Sequence, residues 1–277
     1  MSNRATCPSR ANIALALAIL LAGLWVVLGL TAPDASGVAA TQIGHTKKTP
    51  KPSCPTPTKK KDPTFEPPPY QKCQAVGEVT GLQVRAGGKT NPYKIPADGH
   101  LVAWGIDLSR PSGSETKFFS DAPAGGPDVE NGVGWGEPSA RISVLKKLKH
   151  QRFRLVKQTS KVELSSQLGD DPIFTMRKPM KVKGGLFVAI TTSNWFPSLA
   201  HDPPVTSQEG DVWLASRGAK HCGLAPPGAS TEEQIAAQQD MIDKSKPQQK
   251  KGTVRPYKCR YTAARLLYRA YFVADKK

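Results

Sequence analysis

The stretch HLVAWGIDLS, His100 to Ser109, alternates along its length. Val102, Trp104, Ile106 and Leu108 fall on one side of an extended chain, and Ala103, Gly105 and Asp107 on the other. Successive side chains of a strand point to opposite faces, so this period of two marks a half-buried strand. The same texture continues outward. ARISVLKK places Ile142 and Val144 together, RFRLVK alternates from Arg152 to Leu155, and KVELSS follows a short turn. GGLFVAITT is apolar on both faces from Leu186 to Ile190 and reads as a central strand. GEVTGLQVRAG opens the domain and DVWLAS is another short strand. ARLLYRAYFVA ends the chain with Leu266, Tyr268, Ala270 and Phe272 on one face. Roughly eight to ten short strands, with turn clusters between them and no long amphipathic helix, predict an all-β antiparallel sandwich. It spans 70–277, long enough to bury one sizeable core.

Two stretches interrupt the strands. Asp121 to Ser139 is a Gly- and Pro-rich loop. The insertion 223–253 is polar and partly helical, with Ser230 and Glu233 spaced as a capping box ahead of Ile235, Met241 and Ile242.

The N-terminus speaks to compartment. Arg4 and Arg10 precede the uncharged run Ile13 to Leu30, Ala32-Pro33 breaks it, and Val38 and Ala40 fit a signal-peptidase site. Residues 1–40 therefore read as a signal peptide, or as a single-pass anchor, since such a run spans about 27 Å of a roughly 30 Å hydrocarbon core. Either reading puts the remainder outside the membrane, which the chain would touch only through this segment. Arg4 and Arg10 agree with the positive-inside rule, although the flank after the run is also basic. The expected location is extracellular or at the cell surface. Residues 41–69 are rich in Pro, Lys and Thr with little to bury, and read as a disordered, extended linker. Beyond Cys7 the cysteines are Cys54, Cys73, Cys222 and Cys259, an even set suited to an oxidising compartment. Four cysteines allow three pairings; the spacing suggests Cys54 with Cys73 and Cys222 with Cys259. No CxxC pair supports a metal site.

Three stretches carry a resemblance: IPADGHLVAWGIDLSRP from Ile95, ARISVLKKLKHQRFRLVKQTSKVEL from Ala140, and MKVKGGLFVAITT from Met180. Together they resemble uncharacterised exported β-sandwich proteins of actinobacteria over Gly77 to Ser216. The shared pattern is a P-x-x-G turn before a Trp-bearing strand, then an L-x-V-L-K-like strand, then a V-x-x-G-x-x-V-A-L strand. The resemblance implies a jelly-roll-like sandwich and export, and it brings no catalytic residues. Gly185 stands where a Gly-Asp pair is common in those proteins, and the 223–253 insertion lies outside the pattern.

Chemistry is sparse in this sequence. There is no G-x-S-x-G elbow, no HExxH and no Walker A motif, so no catalytic residue, cofactor or metal ligand is assigned. Loop acids, Asp170-Asp171 and the set Asp121, Asp128, Glu130 and Asn131, offer calcium-type oxygens without an EF-hand spacing. Trp104 and Trp213 read as core. Trp135, in the Gly-rich loop, and Trp195, at a strand end, are the candidates for stacking on a sugar, with closure of the core as the simpler reading of Trp195. The formal charge of +17 includes a cluster at one hairpin: Lys146, Lys147, Lys149, His150, Arg152 and Arg154. Such a field attracts anions. Export disfavours nucleic acid as a partner in vivo, leaving cell-wall glycan or an anionic polymer. The expected function is a non-catalytic surface or secreted module. The alternative is a glycan-cleaving hydrolase or lyase, which needs two suitably spaced carboxylates drawn from Asp107, Glu137 and Asp170.

Overall fold

Two antiparallel sheets carry the structure. This computed structural model describes residues 39–47, 49–52, 75–121, 134–201, 210–223 and 228–276, all but Ala39 within the unit Ala40–Lys277. One sheet runs, in spatial order, β1 (Thr41–Ile43), β17 (Tyr268–Ala274), β5 (Gly99–Ile106) and β9 (Ile173–Val182). The larger runs β14 (Val254–Pro256), β7 (Arg152–Gln158), β6 (Ser139–Lys147), β10 (Phe187–Thr191), β3 (Thr80–Ala86), β13 (Val212–Ala215) and β15 (Cys259–Thr262). Short β4 (Lys89–Thr90) pairs with β3, and β8 (Val162–Glu163) with β6. Two further pairs join β2 (Val76–Gly77) to β11 (Trp195–Phe196), and β12 (Leu199–His201) to β16 (Ala264–Leu266). The edge strands β14 and β15 are separated in the chain by Tyr257 and Lys258 alone, so the large sheet curls into a half-barrel. The fold is an all-β antiparallel sandwich with one sheet curled.

The expected inner face of the last strand is the observed one: Leu266, Tyr268, Ala270 and Phe272 are all buried. Tyr268 ties the sheets together. Its hydroxyl donates to the Val188 carbonyl at 3.0 Å and accepts from the Gln83 N–H at 3.4 Å, while Tyr93 stacks on its ring at 4.1 Å between centroids. Close approach here requires Gly81, because a Cβ would meet Leu266 Cδ1 at 2.6 Å. β10 is buried along its whole length between β6 and β3, as its doubly apolar sequence predicts. The Phe153, Phe187 and Tyr257 rings cluster on the curled sheet, beside a buried hydroxyl ladder of Thr80, Thr191 and Ser143.

β5 departs from its expected phase. Trp104, Ile106 and Leu108 are buried, but so is Leu101, while Val102 is only half-buried. The pairing with β17 passes from Leu101 to Ala103, so Val102 is an extra residue in a bulge, which resets the alternation. β9 was not expected. It is an edge strand, mostly exposed, with Pro179 and several cations along it, so no apolar period marks it.

Helix α1 (Gly113–Ser120) was also unanticipated, although Ser112 and Glu115 form a full capping box. Helix α2 (Thr231–Lys244) begins at the predicted cap, Ser230 with Glu233. The rest of the insertion is not a detached loop. Ser245 and Gln248 are buried, and Gln248 fills the half-barrel. Its Nε2 donates to the carbonyls of Phe153 at 3.0 Å and Thr253 at 2.9 Å, and its Oε1 accepts from the Tyr257 hydroxyl at 2.6 Å.

The 41–69 linker also needs a change at its start. Thr41 to Ile43 pair with Phe272 to Ala270, Ile43 enters the core, and buried Thr46 accepts from Arg265 Nη2 at 2.7 Å. The folded unit thus begins about thirty residues before position 70, because β17 has an open edge that only a strand can satisfy. The apolar N-terminal run, Cys54, Cys73 and most of the Pro- and Lys-rich stretch lie outside the described residues. Among the described residues, no helix is long and apolar enough to cross a membrane.

Candidate functional site

The basic hairpin is built by β6 and β7. Its turn places His150 and Gln151 at φ 58° and 52°, the left-handed pair that a tight hairpin matching strand twist requires. Phe153 and Leu155 point inward, so Arg152 and Arg154 point out. Lys146, Lys147, Lys149, Arg152 and Arg154 are all exposed, and the register sets Lys146 directly opposite Arg154. Like charges in that position are destabilising.

The tertiary structure enlarges this patch. β14 pairs along β7, with Val254 opposite Arg154 and Pro256 opposite Arg152. Hydrogen bonds from Leu155 N–H to Thr253 O and from Gly252 N–H to Leu155 O continue the seam at 2.9 and 2.8 Å. Lys250 and Lys251, both exposed, therefore join the hairpin from a segment remote in sequence, whereas Arg255, opposite inward-pointing Phe153, falls on the other face. The stretch Arg141 to Lys161 holds eight Lys and Arg, Lys244 to Arg260 holds seven, and neither contains an acid. Among the described residues, none of these cations forms an ion pair. Sequence reasoning missed the second stretch because polarity suggested a loop; its freedom from acids was the available signal.

The tryptophans do something else. Trp195 is 0 % exposed, and its Nε1 donates to the Gly136 carbonyl at 2.8 Å. A ring without exposed surface cannot stack on a sugar, so Trp195 is not a glycan-binding residue in this fold. Phe119, from α1, lies 4.9 Å from Trp195 and stacks parallel to Trp135 at 6.1 Å. Trp135 is half-buried, lies across Gly77, which has no room for a Cβ beneath the indole, and accepts from Asn194 Nδ2 at its carbonyl at 2.8 Å. Phe119, Trp135 and Trp195 form one packed aromatic cluster, so Trp195 closes the core, while Trp135 keeps a half-buried position at its margin.

The cysteine pair Cys222–Cys259 is a disulfide, with Cα atoms 5.1 Å apart. It anchors the base of the insertion to β15.

A cavity of about 440 Å³ opens beside β17 and was not foreseen. Asp107, Asp171 and Arg269 converge on it. Arg269 pairs with Asp107 through Nη1, lies 3.8 Å from Asp171 Oδ2, and donates from Nε to the Tyr271 hydroxyl at 3.2 Å. Burial opposes its charge, but the bonds to Tyr271 and Asp107 outweigh that and hold the guanidinium above its ordinary range. Asp170, the other half of the Asp170-Asp171 pair, faces Arg110 at 3.9 Å. The two carboxylates on the cavity, Asp107 and Asp171, share the one Arg269 guanidinium.

No protein-family description, no curated protein and no solved structure matches this chain.

Proposed function

We propose that this chain is an exported, non-catalytic β-sandwich module that binds an anionic polymer of the cell envelope through the basic face built by β6, β7 and β14. One observation carries the reading: two acid-free stretches, remote in sequence, are zipped together into one exposed cationic surface. Among the described residues none of these cations is in an ion pair, and the direct opposition of Lys146 and Arg154 works against stability. Export is supported by the N-terminal pattern and by the Cys222–Cys259 bond, which persists in oxidising compartments. There an anionic wall or surface polymer is the accessible polyanion, and counterion release supplies the affinity.

The test uses the full chain with inorganic polyphosphate and polyglutamate as probes. Affinity should fall steeply between about 50 and 200 mM salt. The triple variant Lys146→Gln/Lys149→Gln/Arg154→Gln should bind at least about tenfold more weakly with a shallower salt slope. Affinity indifferent to salt, or unchanged in the variant, would refute the proposal.

A further inference from the structure

We infer that the cavity beside β17 is a binding site for a neutral, polyhydroxylated ligand of one or two sugar rings. Its walls come from rigid strands. Gln42 of β1 sits directly opposite Tyr271 of β17, Asp107 follows β5, and Asp171 and Ile173 begin the β9 edge. The volume of about 440 Å³ lies within the range of small-molecule sites and suits one or two pyranose rings.

The chemistry of the walls selects the ligand class. Charge is balanced, with Arg265 and Arg269 against Asp107 and Asp171. Both guanidiniums already have partners, Arg269 in Asp107, Tyr271 and Asp171 and Arg265 in Asp211 and Thr46, so a phosphate or carboxylate would meet two carboxylates with no uncommitted cation to offset them, whereas a neutral ligand meets no repulsion. Every nitrogen of the Arg269 guanidinium is already engaged: Nε with Tyr271, Nη1 with Asp107, and Nη2 with the Asp171 carbonyl at 3.1 Å. That network holds the Asp107 carboxylate and the Asp171 backbone in place before any ligand arrives, the pre-organisation that raises affinity, and leaves the exposed Asp171 carboxylate 3.8 Å from the guanidinium. Their remaining oxygens accept hydrogen bonds, and a sugar is rich in hydroxyl donors. Gln42 supplies both a donor and an acceptor for neighbouring hydroxyls. The apolar face of a sugar ring has a partner too. Ile173, on the cavity wall, is 52 % exposed and one of two large hydrophobic side chains so exposed among the described residues. Tyr271 adds an aromatic surface nearby.

This site is independent of the basic face, and the experiment separates them. The full chain is titrated with glucose, galactose, maltose and cellobiose, followed by calorimetry and by ligand-observed saturation transfer. At least one should bind saturably with a Kd on the order of a millimolar. Asp171→Asn and Gln42→Ala should each weaken that binding about tenfold, the loss of one hydrogen bond to a charged or well-placed group. Asp171 is 82 % exposed at its side chain, so its substitution leaves thermal unfolding unchanged and the loss reads on binding. Polyphosphate binding should be unaffected by both variants, and sugar binding unaffected by the triple charge variant. Absence of saturable binding for all four sugars overturns the inference. So does sugar binding that survives both substitutions, and so does release of glucose from maltose or cellobiose, which would make the site an enzyme's.

Discussion

Tyr93, Tyr257 and Tyr268 lie wholly inside the protein, and burial pushes each phenol above the ordinary tyrosine range. An unfolded tyrosine loses its proton near pH 10. Above that pH the unfolded chain therefore binds fewer protons than the native one, and stability falls as pH rises. Absorbance at 295 nm should reveal these three of the six tyrosines only as the chain unfolds in alkali. A full complement of tyrosinate while near-ultraviolet circular dichroism is still native would contradict their burial. Gln248 offers a second test. Gln248→Ala leaves the Tyr257 hydroxyl and the carbonyls of Phe153 and Thr253 without that partner inside the half-barrel. The expected loss is about 2–4 kcal/mol in denaturant unfolding, from stranded buried polar groups. A loss below about 0.5 kcal/mol, the usual size of a surface substitution, would mean that this side chain does not hold the insertion in place.

At the scale of elements, the insertion divides in two. Helix α2 is largely exposed, while the segment from Ser245 to Gln248 packs against the large sheet. Cys222 and Cys259, 37 residues apart, close the whole stretch, which the chain-entropy model values at about 4 kcal/mol. The polar composition of the insertion gives no sign of a structural role, but the buried Ser245 and Gln248 have one. Replacing Thr231–Lys244 with a short glycine linker should cost little, whereas deletion through Lys251 should abolish cooperative unfolding, as circular dichroism melts would show. Equal melts for the two deletions would contradict this division. At the other end of the chain, Ile43→Asp places a carboxylate in the core beside β17. It should destabilise by about 3 kcal/mol or more, whereas a residue in a free linker would tolerate the change.

Across the whole molecule, the +17 charge sets binding and stability against each other. Lys146→Glu puts an acid opposite Arg154 and should stabilise by about 0.5–1 kcal/mol, while weakening polyphosphate binding. Salt should act in the same two directions, raising the melting temperature by screening the hairpin and lowering affinity for a polyanion. A variant that is less stable, or that binds as well as the parent, would sever the link drawn here between the hairpin's strain and its function.

Local pattern alone determined the β class, the central place of β10, the inner face of β17, the start of α2 and the partner of Cys222. Each is carried by residues close in the chain: a doubly apolar run, a period of two, a cap spaced by three, two cysteines flanking one polar stretch. Tertiary structure decided the rest. β1 and β9 are edge strands, half in water, and carry no apolar period for a reader to find; each exists because a neighbour's open edge accepts it. The Val102 bulge is visible only against the partner strands β17 and β9, and Gln248 is a core residue only because Tyr257, Phe153 and Thr253 surround it. The sites follow the same rule. Half of the basic face was legible in the hairpin, but its union with Lys250 and Lys251 depends on β14 meeting β7. The cavity gathers residues from positions 42 to 271, and no window of sequence holds them together, because convergence of side chains is a property of strand register and sheet packing.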